Sequence, residues 1–437
     1  MSIPKKIHVT TLGCSKNIYD SEILMGQLVA NEANFVSDPL DADVIIINTC
    51  GFIDKAKEES VDAILDAEQI KNKHPDKKLI VCGCLSQRYG EQIKKEIPSI
   101  DGLFGTEDYL NIINFLNFNN NKSPEYLYED RFRITPSHYA YLKISEGCNH
   151  KCSFCAIPLM RGKHRSRSLE HIIEEAKLLA SKGVKELIIV SQDTSFYGVD
   201  IYGKQKLVDL LLQLSGISGI EWIRVHYLYP NTVQKNMIDL IVSSEKIVPY
   251  LDMPIQHISN KMLKIMRRGN DTRNVLEIFE YARAKNPGTT LRTTIIVGHP
   301  GETKKDFEEL KSFIAHYKFD RLGVLKYSRE NGTAALKFKM IIPTGEKTER
   351  LNELMEIQKE ISFRKNQLKI GGKVRVIIDE VRRAENYAVG RTKADSPEID
   401  NELIINSLSK NIIVGRFEEV RITDASEYEL YGNIEDN

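Results

Sequence analysis

The sequence predicts an α/β protein in three parts: a parallel α/β domain, a parallel barrel of six βα units, and a small antiparallel β-barrel. Three observations predict it. Strand-sized apolar runs alternate with amphipathic helical stretches as far as Tyr327. One polar stretch, Asn117 to Pro136, with an Asn run and two prolines, interrupts the alternation and reads as a linker. After a charged helical stretch, Lys347 to Leu368, the pattern changes to short strands with Gly-bearing turns. A chain of 437 residues has room for roughly three domains.

The first part is expected over residues 1–125. Its strands are Ile7 to Leu12, Asp43 to Asn48 and Lys78 to Cys82, and its helices are Asp20 to Asn31, Lys55 to Lys73 and Gln87 to Lys95. The second part, residues 126–365 with 126–138 as linker, carries strands at Ala140 to Ser145, Glu186 to Ser191, Trp222 to Leu228, Tyr250 to Ile255, Thr290 to Val297 and Arg321 to Tyr327. Helical stretches such as Leu169 to Ser181 and Lys304 to His316 separate them, and six such units in series predict a parallel barrel, complete or open. The third part, residues 366–437, has strands at Lys373 to Val381, Tyr387 to Arg391, Glu402 to Ile405 and Phe417 to Ile422.

Composition narrows the class. Hydrophobic residues are 41% and charged residues 28%, too apolar and too balanced for a disordered chain. Lys+Arg and Asp+Glu are 61 each, so the basic excess of a general nucleic-acid binder is missing. The longest apolar runs, such as Val44 to Ile47, are strand-sized, and Met1 to Lys6 lacks the apolar stretch of a signal peptide. A cytoplasmic protein with no membrane partner is expected.

The seven cysteines are placed unevenly: Cys14, Cys50, Cys82 and Cys84, then Cys148, Cys152 and Cys155. The second group has the spacing CxxxCxxC directly after the first barrel strand. One such loop wraps three thiolates around three irons of a cubane and leaves the fourth iron open. The other reading is a zinc site completed by His150 or His164, although closed zinc sites usually use two CxxC pairs. In the first group, Cys14, Cys50 and Cys84 each follow a strand of a parallel sheet, whose carboxyl ends face one crevice. Three thiolates converging there are expected to hold a second cluster, against the alternative of ordinary core cysteines. Cys82 lies inside its strand and reads as a small hydrophobe.

The CxxxCxxC loop, with Phe154 before its third cysteine, resembles the radical S-adenosylmethionine superfamily. The resemblance implies that the open iron binds S-adenosylmethionine, whose one-electron cleavage gives a deoxyadenosyl radical, and that the barrel is of the open six-unit type. Three further N-terminal cysteines and a C-terminal β-barrel make nearly the whole chain similar to the methylthiotransferase family, whose last domain is called TRAM. Within it, Leu12-Gly-Cys-Ser-Lys-Asn17 followed by Asp20-Ser-Glu22 resembles the RimO branch, which modifies an aspartate of ribosomal protein S-twelve. Ala156 to Arg167, Ser191 to Thr194, Val225 to Pro230, Leu251 to His257 and Phe319 to Gly323 are similar to the same branch. Two stretches depart from it: His299 stands where Phe is usual, and Ser328-Arg-Glu-Asn-Gly-Thr333 replaces Ser-Pro-Glu-Glu-Gly-Thr.

The resemblance implies sulfur and methyl insertion at the β-carbon of that aspartate. It also implies two four-iron, four-sulfur clusters, one on Cys148, Cys152 and Cys155 and an auxiliary one on Cys14, Cys50 and Cys84, together with S-adenosylmethionine. Gln192 and Asp193, ending the second barrel strand, are expected to accept from the methionyl ammonium, and Gln256 and Gly298 to meet the ribose and adenine; turn and cap roles are the alternatives. Arg161, in the basic run Arg161 to Arg167, is expected to meet the cofactor carboxylate or the substrate aspartate, the alternative being a solvated charged face. The methionines in Lys261 to Arg268 read as packing. Expected partners are ribosomal protein S-twelve or the small ribosomal subunit, a flavodoxin- or ferredoxin-type electron donor and a sulfur donor. Two other functions fit the residues: a tRNA methylthiotransferase of the MiaB type, and a non-catalytic iron–sulfur or zinc protein that binds the ribosome.

Overall fold

The computed structural model describes residues 5–118, 124–269, 271–406 and 412–435. They form two compact units, one of Met1–Thr135, Tyr141–His150 and Ala156–Leu178, the other of Pro136–Ala140, Lys151–Cys155 and Leu179–Asn437.

In the first unit, β1 (Lys6–Thr11), β2 (Asn34–Phe35), β3 (Val44–Thr49), β4 (Lys78–Gly83) and β5 (Gly102–Leu103) make a sheet in the order β2-β1-β3-β4-β5. The pairs are parallel. Helices α1 (Ser15–Ala30), α2 (Asp54–Lys73), α3 (Cys84–Glu96) and α4 (Tyr109–Phe115) cover both faces. A parallel strand buried on both sides is apolar at successive positions, and all of β3 is buried. Its Ile46 packs with Ile7, Leu24 and Ile80, while Ile45 and Ile47 pack on the opposite face with Ile64 and Leu79. The strand order reverses between β1 and β3, and a crevice opens outside the carboxyl ends of strands at such a point.

The polar stretch expected to be a linker is in part packed structure. Its Asn run lies outside the described residues, but Leu127 and Tyr128 are buried with Tyr19 and Ile23 of α1. Arg131, itself buried, donates from Nε to Glu22 at 2.8 Å and from Nη1 to Glu175 at 2.7 Å. Charges that read as solvated in the sequence are neutralised by partners far along the chain. Glu22 also accepts from the amides of Ile134 and Thr135 at 2.9 and 3.0 Å. Glu22→Ala, which takes one of its two carboxylates from a buried guanidinium and leaves two amides without their acceptor, is expected to destabilise this unit by about 3–5 kcal/mol, measured by urea unfolding. A loss below about 1 kcal/mol would contradict that account. The same unit holds β7 (Ser145–Glu146) paired with β8 (Arg165–Ser166), α5 (Ile157–Arg161) and, as far as Leu178, α6 (Leu169–Ser181).

In the second unit, His138, just before the Tyr139–Ala140 start of β6 (Tyr139–Lys143), accepts at its O from the amides of Lys185 and Glu186, where β9 (Glu186–Val190) begins. Strand β10 (Trp222–Val225) pairs in parallel with β9. A second parallel sheet has the order β11 (Tyr250–Asp252), β12 (Thr290–Val297), β13 (Arg321–Lys326). Bonds from Val248 N to Ile223 O and from Leu228 N to Asp252 O, both 2.9 Å, carry the arc from β10 to β11. The barrel is open, with β13 at its edge. Around it lie α7 (Val199–Tyr202), α8 (Leu207–Ser215), α9 (Lys235–Ser243), α10 (Asn260–Ile265), α11 (Thr272–Lys285), α12 (Lys304–Tyr317) and α13 (Thr344–Gln367). Helix α12 starts where the sequence dictates, at a capping box of Thr303 and Asp306.

The C-terminal strands close a barrel in the order β14-β15-β16-β18-β17: β14 (Lys373–Arg382), β15 (Tyr387–Arg391), β16 (Glu402–Asn406), β17 (Phe417–Ala425) and β18 (Glu429–Ile434). The pattern predicted four of them. The fifth, Glu-Leu-Tyr-Gly-Asn-Ile, contributes only Leu430 to the fully buried core, too little apolar signal to read as a strand. This barrel packs on the amino ends of the βα strands. Arg391 reaches Glu186, the first residue of β9, at 2.8 Å; Tyr250 donates to Asp400 at 2.5 Å; and Trp222 meets Phe417 edge to face. The carboxyl ends are left for chemistry.

Candidate active site

The N-terminal cysteines occupy the crevice that the strand order creates. Cys14 follows β1 and is the N-cap of α1, Cys50 follows β3, and Cys84 is the first residue of α3. Helix N-termini present unpaired N–H groups and positive dipole ends to the thiols at Cys14 and Cys84. Gly13 has φ +97°, and a Cβ there would lie 2.7 Å from Cys50 Cβ, so glycine is what lets Cys50 lie over the Cys14 turn. Burial pushes the Cys50 thiol up and the Cys84 thiol up to about 12, and the charges of neighbouring thiols in this set add to both shifts. A Cβ at Gly51 would lie 3.0 Å from the Cys84 backbone, so the turns that carry Cys14, Cys50 and Cys84 adjoin. Cys82, in contrast, packs in the core with Ile7, Leu24 and Ile80.

Asn17 braces this site. Its amide donates to Leu12 O at 2.8 Å and Thr49 O at 3.0 Å, tying the ends of β1 and β3, and its Oδ1 accepts from Cys84 Sγ at 3.7 Å. The same Oδ1 accepts from Arg161 Nη2 at 2.5 Å. Arg161 Nη1 reaches Asp20 at 2.9 Å and Glu146 at 2.7 Å, and Lys143 joins the same two carboxylates at 2.6 and 2.9 Å. Arg161 is thus buried in an ion-pair network, where its charge lowers the Cys84 thiol against the effect of burial. Its donors face Asn17, Asp20 and Glu146. Met160, Ile157 and Ala156 pack directly on Cys84.

The CxxxCxxC loop is pinned along its length. In the first unit Cys148 N donates to Gly162 O at 3.1 Å. In the second, Ser153 N donates to Met266 O at 2.9 Å, Ala335 N to Ser153 O at 2.7 Å, and Phe154 packs on Met262 and Met266. The methionines are packing, as their spacing predicted. His299, the departure from the usual Phe, is buried, lowered to about 4 by desolvation and so neutral at pH 7. Its Nδ1 faces Pro300 O at 2.8 Å and its Nε2 lies 3.0 Å from the Ser153 hydroxyl, a polar support for the loop.

The other predicted residues lie at carboxyl ends of strands in the second unit. Asp193 is buried and accepts from Ser195 Oγ at 2.6 Å, and Gln192 is half-buried beside it. Gln256 has φ +72°, with its backbone bonded to Thr294 and Ile296. Gly298 has φ +75°; its N–H donates to Glu302 at 2.5 Å, and a Cβ would clash with Lys347 Cγ. Arg268 escaped the sequence reading. Its Nη1 donates to Cys152 Sγ at 3.5 Å, and the only signal was a basic residue closing a methionine-rich helix.

Among the described residues no three His, Cys, Asp or Glu side chains are grouped as one metal ion requires. A cubane sets each thiolate on a different iron and asks for wider spacing, so two sets of three thiols, one beside helix N-termini and one in a fixed loop, fit it. No helix among the described residues is long and apolar enough to cross a membrane.

Comparisons with known proteins bear on the fold and the family. Residues 6–105 match the uncharacterized protein family UPF0004, residues 142–314 the radical SAM superfamily, and residues 370–434 the TRAM domain. Among solved structures, the radical S-adenosylmethionine methyltransferase TsrM from Kitasatospora setae shares the fold at a TM-score of 0.55 and 11% identity, covering 76% of this chain and 77% of that one. The cobalamin-dependent S-adenosylmethionine radical enzyme OxsB is similar at 0.52 and 13%, over 82% of this chain and 56% of its own. In sequence, proteins named ribosomal protein uS12 methylthiotransferase RimO are far nearer. That of Christiangramia forsetii is 45% identical over 98% of this chain and 94% of its own, and that of Flavobacterium johnsoniae is 46% identical over 98% and 97%. With such identity along the whole length, the chain belongs to the RimO family of radical SAM methylthiotransferases.

Proposed function

We propose that this chain inserts sulfur and a methyl group at the β-carbon of an aspartate in ribosomal protein uS12. The observation that supports the reading is that Cys14, Cys50 and Cys84 stand at adjoining strand ends of one crevice, in addition to the CxxxCxxC loop. When bound, the loop cluster with S-adenosylmethionine supplies hydrogen abstraction from carbon, and the second cluster supplies sulfur. The residues do the rest: Gln192 and Asp193 accept from the methionyl ammonium, and Gln256 and Gly298 line the ribose and adenine. Arg161 holds positive charge beside the three thiols, and Asn17 fixes the strand ends that present them. Electrons come from a flavodoxin- or ferredoxin-type protein, sulfur from a separate donor, and the reaction takes place in the cytoplasm.

Charge favours a protein substrate over tRNA. From Asn366 onward the chain carries ten Lys and Arg against fourteen Asp and Glu, a local balance of −4. Phosphate binding depends on cations that displace counterions, which this barrel lacks in net terms. Because the barrel packs on the amino ends of the strands, its acids act at a distance, steering a cationic partner by a field that salt screens. The test offers anaerobically reconstituted enzyme both uS12 and tRNA and reads products by mass spectrometry. Methylthiolated uS12 is expected, at a rate that falls as salt rises; methylthiolated tRNA with unmodified uS12 would overturn the reading.

A further inference from the structure

Each set of cysteines has a buried guanidinium beside it, and the two differ in what neutralises them. Arg161, next to Cys84, is paired with two carboxylates, Asp20 and Glu146, which it shares with Lys143, and Lys143 also reaches Glu107 at 3.2 Å. Arg268, next to Cys152, is buried as deeply, yet among the described residues no carboxylate pairs with it. Its Nη2 donates to the neutral carbonyl of Pro254 at 2.6 Å, its face lies 4.2 Å from the Tyr229 ring, and its Nε is buried with no hydrogen-bond partner. Tyr229 in turn donates to the carbonyl of Arg268 at 2.5 Å, and Asn231 to the same oxygen at 3.3 Å, so the residue is held from below as well.

A buried charge with no carboxylate paired to it among the described residues favours an anion bound beside it. Three thiolates on a four-iron cubane carry net negative charge, more so after reduction. Hydrogen bonds and positive charge at cluster sulfurs raise the reduction potential. We infer that Arg268 is a positioning residue that raises the reduction potential of the cluster on Cys148, Cys152 and Cys155 through its N–H bond to Cys152 Sγ. It eases entry of the electron that starts the reaction. The auxiliary cluster has its own guanidinium in Arg161, which Asp20 and Glu146 hold, so Arg268 biases the loop cluster alone. The inference rests on the function proposed above.

The experiment is an EPR-monitored potentiometric titration of reconstituted holoenzyme as wild type, Arg268→Gln and Arg268→Lys, with iron content measured in each. In Arg268→Gln the potential of the loop cluster is expected to move to more negative values while that of the auxiliary cluster stays in place. Arg268→Lys, which keeps the charge but not the planar donor geometry, is expected to fall between. An unchanged potential at full iron content would overturn the inference. So would an equal shift of both clusters, or loss of iron from both variants, since either outcome makes Arg268 merely structural. Failure of the proposed function is told apart in the wild type alone, as a cluster signal that does not respond to added S-adenosylmethionine.

Discussion

Replacing Cys148, Cys152 or Cys155 with alanine is expected to bring S-adenosylmethionine cleavage down to the background of enzyme-free buffer. Each thiolate anchors a different iron, and the loop that carries them cannot shift to compensate. Its backbone is tied at Cys148 to Gly162 and at Ser153 to Met266 and Ala335, and Phe154 is packed among Met262 and Met266. Losing one anchor leaves a second iron open and strips the site of its defined coordination. The measurement is deoxyadenosine formed per enzyme under dithionite. Formation at near wild-type rate in any one of the three variants would remove the assignment. The neighbour Ser153 offers an internal contrast: Ser153→Ala deletes only its hydroxyl's contact with His299, and iron should be retained.

The second large effect separates the two cysteine sets. Cys14→Ala, Cys50→Ala and Cys84→Ala are expected to retain reductive cleavage of S-adenosylmethionine while methylthiolated product disappears. Cys82→Ala is expected to spare both activities. Cys82 and Cys84 are two residues apart on the chain, but the first is packed with Ile7 and Ile80 while the second opens α3 beside Asn17. The comparison therefore tests geometry and not the mere presence of sulfur. Deoxyadenosine and methylthiolated uS12, measured in the same reaction, give the two readouts. A Cys82 variant that lost product while the Cys84 variant kept it would show that the strand-end argument selects the wrong thiol.

Most of the architecture was legible because period and spacing are local. The fully apolar run Val44 to Ile47 could only be a strand covered on both sides, and the box of Thr303 and Asp306 marks the start of α12. The cysteine sets were legible for the same reason: strand ends and loop spacing can be counted. What could not be counted was pairing at long range. Asn17, Asp20 and Glu22 stand in a stretch similar to the RimO branch, yet nothing local says that they bind Thr49, Arg161 and Arg131. Arg161 looked like one cation of a solvated or substrate-facing run, and only the fold reveals that two carboxylates hold it. Arg268 is the converse: an ordinary charge just beyond a helix, which among the described residues pairs with a carbonyl and a thiol and not with a carboxylate, as only three dimensions reveal. The strand β18 was missed because closure of a small barrel can recruit a segment with little apolar content of its own.

The two cysteine sets also differ in how far apart they lie along the chain, and this has a consequence for maturation. Cys148, Cys152 and Cys155 fall within eight consecutive residues, so a short stretch of nascent polypeptide already brings them within reach of iron. Cys14, Cys50 and Cys84 are joined only when β1, β3 and β4 have paired in parallel, a non-local event that forms late. During synthesis the strands of that sheet all emerge before the loop, whose supports Met266 and Ala335 emerge later still, so each cysteine set awaits its own long-range contacts. Mutations that slow pairing of that sheet, even far from any cysteine, would leave a half-loaded enzyme that consumes cofactor without making product.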